Sequence, residues 1–264
     1  MDQNRIKEFP RLLQHWHRYH NRRDMPWKGI RDPYRIWLSE IILQQTRVEQ
    51  GLPYYLELTT QYPDVHHLAR ADEKEVYRIW QGLGYYNRCR NMLETARHIS
   101  ANCNGRFPDT PDALMKLKGI GPYTAAAIAS FAFHYPSAVV DGNVIRVLSR
   151  VFAVRWDEQK PEGKKKFAGL ASACLDIKRP HRYNQAIMDL GATVCLPAQA
   201  LCDPCPLKAI CLASQRGQVK NFPLKKKKKP LQERVFHFFV YKQGRSVFLT
   251  LRPPGDIWAG LYSF

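Results

Sequence analysis

Leu117-Lys118-Gly119-Ile120-Gly121-Pro122-Tyr123-Thr124-Ala125 decides how this chain is read. Its two glycines permit a tight turn between helices, and Pro122 suits the first turn of the helix that follows. Backbone N–H groups at such a turn and helix start are positioned to bind a phosphate oxygen. A G-x-G alone is equally compatible with a plain turn, so its meaning depends on what surrounds it.

The surroundings are helical and basic. Asp32-Pro33 pairs an N-cap with a first-turn proline and opens a helix expected to run through Ile36, Trp37, Ile41, Leu43 and Val48. Ala71-Asp72 opens another, carrying Val76, Ile79 and Trp80 and ending near Gly82. Helices are predicted at 86–99, 111–118, 125–133 and 144–152, and strand-like alternation is scarce before residue 230, which makes this part all-α. Across 264 residues, 41 Lys and Arg stand against 23 Asp and Glu, a formal net charge of +18. The basic residues are spread along the chain. Arg5, Arg11, Arg18, Arg22 and Arg23 open it, Lys116 and Lys118 flank the glycine turn, and Lys164, Lys165 and Lys166 sit together. A polyanion is the natural partner; a merely soluble basic surface is the alternative. In this setting the turn resembles a helix-hairpin-helix, a clamp for the DNA backbone that carries no sequence information.

Seven cysteines, an odd number, occur with no signal-peptide core and no long apolar run. That argues for a reducing, soluble compartment and against a membrane. Cys89, Cys103 and Cys174 then read as ordinary thiols. Cys195, Cys202, Cys205 and Cys211 differ, because they form a C-x6-C-x2-C-x5-C run whose middle is stiffened by Pro204 and Pro206. Four thiolates so close converge on one metal centre more readily than on disulfide partners. A [4Fe–4S] cluster and a structural zinc are both open, and the spacing favours the cluster, since zinc sites usually pair two C-x2-4-C knuckles.

After Leu224 the character changes. Lys225 to Lys229 and Pro230 form a self-repelling run, read as a linker at 225–230, with nuclear import or an extra DNA contact as the lesser alternatives. Beyond it, 235–241 and 246–251 read as two strands around Lys242-Gln243-Gly244-Arg245, a hairpin. Such a hairpin, with its exposed aromatics, is not expected to be stable by itself, and the second domain looks cut short.

Two carboxylates attract attention. Glu40 lies in Trp37-Leu38-Ser39-Glu40-Ile41-Ile42-Leu43-Gln44-Gln45. Among so many apolar side chains, desolvation would raise its pKa and keep it protonated as a general acid; an exposed glutamate on a polar stripe is the alternative. Asp141 follows Ala138-Val139-Val140 and precedes Gly142-Asn143-Val144 at the start of a helix. It is either a simple N-cap or a carboxylate aimed into a cleft. A protonated carboxyl facing a carboxylate anion matches the needs of glycosidic cleavage, one protonating the leaving group and the other supporting the oxocarbenium centre.

With these motifs in view, residues from about Met25 to Cys211 resemble the A/G-specific adenine DNA glycosylase (MutY) family of the helix-hairpin-helix, Gly/Pro…Asp superfamily. The motifs, in order, are Trp37-Leu38-Ser39-Glu40 with Leu43-Gln44-Gln45-Thr46, Gln81-Gly82-Leu83-Gly84-Tyr85-Tyr86, Gly119 to Thr124, Asp141-Gly142-Asn143-Val144 and the four-cysteine loop. The resemblance implies an iron–sulfur lobe from 1–29 with 136–224, and a six-helix lobe over 30–135 that contains the hairpin. The short β stub at 231–264 would begin a domain resembling Nudix hydrolases, which recognises 8-oxoguanine in relatives. The implied reaction is monofunctional removal, in base excision repair, of adenine opposite 8-oxoguanine or guanine in double-stranded DNA. Glu40 would protonate adenine N7, and Asp141 would stabilise or trap the sugar cation with help from Tyr123 and Asn143. Gln185, Trp27 and Lys28 match positions around the flipped adenine, and Gln45 and Tyr85 match residues that enter the duplex. Lys118, Gly119 and Gly121 would hold the backbone. The four cysteines would carry the [4Fe–4S] cluster, and the protein would be a monomer in the cytoplasm, associated with the nucleoid.

Two rivals stand beside this reading. An endonuclease III-like glycosylase with AP lyase activity shares the hairpin, aspartate and cysteine spacing, but its family has lysine two residues after the second hairpin glycine. Here Tyr123 stands there, and a tyrosine cannot form a Schiff base. The other rival is a catalytically impaired iron–sulfur DNA-binding remnant. No G-x5-E-x7-R-E-x2-E-E box is present, so pyrophosphatase activity has no support. Where relatives often carry glycine after the hairpin, this chain has Ala126, which is expected to alter packing only.

Overall fold

The structure, a computed structural model, describes residues 2–224, 233–253, 255, 258 and 260–264. It divides into a large unit, 1–225, and a small one, 226–264. The lysine run 225–230, expected as a linker, lies outside the described residues, as does the start of the stub at 231–232.

The large unit is helical: α1 (Gln3–Tyr19), α2 (Pro33–Ile42), α3 (Val48–Gln61), α4 (Val65–Arg70), α5 (Glu73–Trp80), α6 (Asn87–Asn102), α7 (Pro111–Leu114), α8 (Pro122–Phe133), α9 (Gly142–Phe152), α10 (Pro161–Ala173), α11 (Pro180–Thr193) and α12 (Leu212–Gln215). Aspartates start several of them by accepting from the first-turn amides. Asp32 takes Tyr34 N at 2.9 Å, Asp72 takes Lys74 N at 2.9 Å, and Asp141 takes Val144 N at 2.7 Å.

The expected helix from Pro33 through Val48 is instead two helices. Gln45 stands at φ 57°, and the Arg88 guanidinium takes the carbonyls of Ile41, Ile42 and Gln44 at 3.1, 2.8 and 2.6 Å. These carbonyls would otherwise need a further helical turn, so an arginine from α6 caps α2. The helix expected over 111–118 likewise stops at Leu114. Tighter turns follow, with Leu117 N bonded to Leu114 O at 3.0 Å and Ile120 N to Leu117 O at 3.2 Å, and they deliver the chain into Gly119.

Two hydrophobic cores form. One gathers Trp37, Leu38 and Ile42 of α2, Leu58, Leu68, Trp80, Met92 and Ile128. The other gathers Phe9 and Leu13 of α1, Val147 and Leu148 of α9, Leu170 of α10, and Tyr183 and Leu190 of α11. Helix α8 serves both. Ala125, Ile128 and Ala129 face the first core, whereas Ala126 and Ala127 face the second. A helix that is apolar all round must be buried on every side, and its alanines let neighbours approach closely. Fully burying each large side chain is worth roughly 1.5–3 kcal/mol, so α8 and the hairpin before it are fixed between two cores.

In the small unit, β1 (Lys242–Gln243) pairs antiparallel with β2 (Ser246–Val247) around Gly244, and β3 (Thr250–Leu251) pairs with β4 (Tyr262–Ser263). The hairpin falls where expected, but its strands are two residues long, and 235–241 forms no regular strand. Among the described residues no third strand joins either pair, and Val235, Phe239 and Tyr241 are exposed. Tyr241 O still accepts from Phe248 N at 3.0 Å across the hairpin, but 235–240 lacks the neighbouring ladder among the described residues that would hold a longer strand. No described helix is long and apolar enough to cross a membrane.

Candidate active site

A cleft of about 940 Å³ opens in the large unit and is lined by Glu40, Tyr123, Asp141, Asn143, Gln185, Trp27, Lys28 and Gln45. Glu40 projects from α2, whose residues from Ile36 to Ile42 are all buried. Burial is the main cause that pushes its carboxyl up to about 7; a hydrogen bond with Tyr123 pulls it down and the Asp141 charge adds to the rise. The Tyr123 hydroxyl is itself driven well above its ordinary value by burial and by the same two carboxylates. Asp141 ends a partly buried approach, in which Val139 is buried, and caps α9. Its Oδ1 accepts from Val144 N at 2.7 Å, and its Oδ2 accepts from Asn143 Nδ2 at 2.8 Å. The two readings of Asp141 are thus compatible, since a capping carboxylate can also face the cleft. The exposed-glutamate reading of Glu40 is excluded by its 8% exposure. A carboxyl with pKa near 7, a phenol and a second carboxylate in one cleft can deliver a proton on one side of a bond and support a cation on the other.

Asn143 is held in turn. Its Oδ1 accepts from Arg146 Nη2 at 2.8 Å, and the same guanidinium donates to Gly191 O at 2.7 Å and Cys195 O at 2.7 Å. Gly191 has to be glycine, because a Cβ there would lie 2.6 Å from Asn143 Cβ. Trp27 packs edge-on against Tyr55, with ring centroids 4.9 Å apart. The Lys28 ammonium is engaged with Asp189 Oδ2 and Arg23 O, at 2.7 and 2.5 Å.

Tyr85, Lys118, Gly119 and Gly121 do not line this cleft. Gln45 and Tyr85 are exposed and both have left-handed backbones, φ 57° and 47°. Arg88 links their two turns: beyond the α2 carbonyls it reaches Leu83 O and Gly84 O, and it lies over the rings of Trp80 and Tyr85. At the hairpin, Thr95 Oγ1 donates to Lys118 O at 2.8 Å, and the Lys118 ammonium pairs with Glu94. Gly119 stands at φ 78°, and a Cβ there would meet Asn91 Cβ at 2.9 Å. Gly121 has an ordinary backbone and open space in front of it as the N-cap of α8.

The four cysteines of the loop line a small second cavity walled by Val147, Val151, Leu190 and Leu207. All are free thiols, and the Cys205 thiol feels the charge of the other three. Among the described residues, no three His, Cys, Asp or Glu side chains are grouped tightly enough for a single metal ion. The four thiols around the apolar cavity are the residues that would hold a [4Fe–4S] cluster. Arg150 Nη1 donates to Cys195 Sγ at 3.3 Å and to Leu196 O at 2.7 Å.

Sequence reading missed Arg88, Arg146, Arg150 and Asp189. Asp189 is fully buried and accepts from Asn21 Nδ2 and Lys28 Nζ, both at 2.7 Å, with Arg23 at 3.2 Å and His17 at 3.4 Å. Burial works against its charge, but the bonds from His17 and Lys28 outweigh it and hold the carboxyl below its ordinary value. It anchors the segment that carries Trp27 and Lys28. The only available signal was an aspartate inside an apolar helix, which requires partners if buried.

Helices around a phosphate-ready hairpin, with an acid-bearing cleft beside it, define a DNA glycosylase of the helix-hairpin-helix class. Residues 38–172 match the family described as HhH-GPD superfamily base excision DNA repair protein. The adenine DNA glycosylase of Buchnera aphidicola (from Acyrthosiphon pisum) is 32% identical over 97% of this chain and 73% of its own length. The human adenine DNA glycosylase is 36% identical over 92% of this chain and 54% of its own length. A thermostable thymine-DNA glycosylase structure superposes with TM-score 0.74 at 27% identity, covering 81% of this chain and 98% of that one. An endonuclease III trapped covalently on DNA superposes at TM-score 0.70 and 21% identity, over 82% of this chain and 99% of that one, a likeness of fold alone. The chain belongs to the HhH-GPD superfamily and, within it, to the adenine DNA glycosylases.

Proposed function

We infer that this enzyme removes adenine mispaired with 8-oxoguanine or guanine from duplex DNA by a monofunctional hydrolytic route. The observation that carries the reading is Glu40, buried, raised to about 7 and sharing its cleft with Tyr123 and Asp141. Adenine is a poor leaving group until N7 is protonated, and Glu40 can supply that proton near neutral pH. Asp141, oriented by Asn143 and Val144 N, would stabilise or capture the sugar cation on the opposite side. Gln185, Trp27 and Lys28 would surround the extruded base. Gln45 and Tyr85, on turns tied by Arg88, would enter the duplex and offset a few kcal/mol of unstacking. Lys118, Gly119 and Gly121 would grip the backbone.

The two cores support a division into lobes, 30–135 and 1–29 with 136–224, with DNA held at the cleft between them. Cys195, Cys202, Cys205 and Cys211 would hold a [4Fe–4S] cluster, which stiffens the loop. The enzyme would act as a monomer in the cytoplasm, at the nucleoid. Tyr123 where a lyase would need an amine speaks against the endonuclease III-like reading.

A single-turnover assay on labelled duplexes with A:8-oxoguanine, A:G, A:T or thymine glycol tests this. Cleavage at adenine opposite 8-oxoguanine or G, visible only after alkali, is expected. Strand cleavage at thymine glycol without alkali would overturn it in favour of a lyase, and tight binding with no cleavage would leave a DNA-binding remnant.

A further inference from the structure

The cleft carries a second cluster that the excision chemistry does not use. His134 and His181 stack face to face, with ring centroids 3.8 Å apart and planes 9° from parallel. His134 caps the C-terminus of α8 at φ 57°, a left-handed backbone that favours glycine, so an imidazole is held there at a cost. His181 lies in the first turn of α11, and its Nδ1 is buried with no hydrogen-bond partner among the described residues. From the segment before α2, Arg31 Nη2 meets His134 Nδ1 at 3.3 Å. A guanidinium only donates, so that nitrogen accepts and the neutral ring keeps its proton on Nε2.

The charges around the pair are one-sided. Arg31 and Arg182 act on both rings, and Asp176, in the loop before α11, acts on His181. The other titratable groups of the cleft are His17 from α1, Arg23, Lys28, Glu40, Tyr123 and Asp141. Burial, then the neighbouring cationic groups, holds His181 down at about 4 and His134 below its ordinary value. At neutral pH the stack is therefore uncharged, with two exposed guanidiniums beside it. An anion placed among them would leave burial in force but would offset the guanidinium charges, favour an imidazolium, and reward a donor in place of a bare ring nitrogen. A phosphodiester is the anion that the cleft's substrate brings, and its own charge does not change between pH 5 and 8.

We propose that His134, His181, Arg31 and Arg182 form a seat for a DNA phosphate at the exposed edge of the cleft, and that filling it takes up a proton on the histidine pair. The proposal rests on the reading of the cleft as a DNA site. It makes duplex binding tighten as pH falls, independently of the excision step.

The test is duplex affinity against pH. The protein carrying Glu40→Gln, which removes the cleft carboxyl raised to about 7 and blocks turnover, is titrated into a labelled A:8-oxoguanine duplex from pH 5.5 to 8 at fixed salt, followed by anisotropy. If one histidine returns to an ordinary value of about 6.5 in the complex, affinity rises about tenfold between pH 7.5 and 5.5. Adding His134→Gly or His134→Asn, both compatible with the left-handed backbone, should flatten that rise to less than about twofold, and so should His181→Gln. Calorimetry in buffers of different ionisation enthalpy should record net proton uptake at pH 6 that these variants lose. A pH dependence unchanged in the histidine variants overturns the proposal. So does a loss of affinity equal at every pH, which would make the stack a platform for bases. Failure to bind the duplex at any pH would instead overturn the DNA reading of the cleft itself.

Discussion

Burial is what would fit Glu40 for the proposed role of general acid, and it also carries a cost. A general acid must hold its proton at the working pH, and a carboxyl raised to about 7 does so only up to neutrality. Excision should therefore fall as pH rises past 7, approaching about tenfold per unit above pH 8. Glu40→Gln should lower the single-turnover rate by at least about 10²-fold while duplex affinity at pH 7.5 stays within about threefold; an unchanged rate would remove Glu40 from the reaction. The same group links stability to pH. Its folded value lies above the ordinary 4.5, so between those values the folded state binds more protons than the unfolded one. Its contribution is intact below pH 4.5 and is lost as pH rises through 7, on the order of 3 kcal/mol. Thermal melts should thus find Glu40→Gln more stable than the parent at pH 8 and level with it at pH 4. Tyr123→Phe removes the hydrogen bond that pulls the Glu40 carboxyl down. The maximal rate should drop, yet the alkaline limb of the pH–rate profile should move to higher pH, a shift that loss of packing alone would not produce.

The hairpin makes two different uses of one residue type. Gly119 is needed by the fold, with φ 78° and Asn91 Cβ 2.9 Å from the position of a Cβ. Gly121 has neither constraint, and on the function proposed above its lack of a side chain would leave room for a phosphate at the start of α8. Gly119→Ala should destabilise the protein by about 1–3 kcal/mol through backbone strain and the Asn91 contact. Gly121→Ala should melt within about 0.5 kcal/mol of the parent but bind undamaged duplex several-fold more weakly. Equal melts and equal binding for both would end this account of the turn. At this scale the sequence was informative about helix starts and weaker about helix ends. Asp32, Asp72 and Asp141 announce their helices because a cap is a local interaction. The break after Ile42 was not legible because its cause is Arg88, more than forty residues away in the chain. The 235–241 segment misled for a related reason: alternation and aromatics describe a strand's faces, whereas a ladder partner has to come from elsewhere.

Across the whole molecule, the legible and illegible parts divide by how far their partners lie along the chain. The carboxylates, the hairpin and the cysteine run were visible as residue types at short spacings. Arg146, Arg150 and Asp189 were not, since a basic chain offers 23 arginines and nothing local marks the few that turn inward. Yet these join what the motifs leave separate. Arg146 runs from Asn143 beside Asp141 to Cys195 O, so the cleft and the cysteine loop share a guanidinium. Arg150, one turn further along α9 and only 3% exposed, gathers Leu196 O at 2.7 Å, Pro197 O at 3.0 Å and Phe222 O at 3.1 Å, besides Cys195 Sγ. Arg150→Ala would leave three carbonyls and a thiol without their donor, and buried acceptors deprived of a partner cost about 1 kcal/mol or more each. The expected outcome is a loss of about 3 kcal/mol in thermal or denaturant unfolding and, if the loop holds the proposed cluster, a lower iron-to-protein ratio after purification, because the segment bearing Cys195 is no longer pinned to α9. Arg150→Lys, with one ammonium in place of a planar fork, should recover only part of both. If iron content stayed at the parent level while stability fell, the arginine would be holding the chain's fold alone, and the cysteine loop would keep its shape by its own prolines and thiolates.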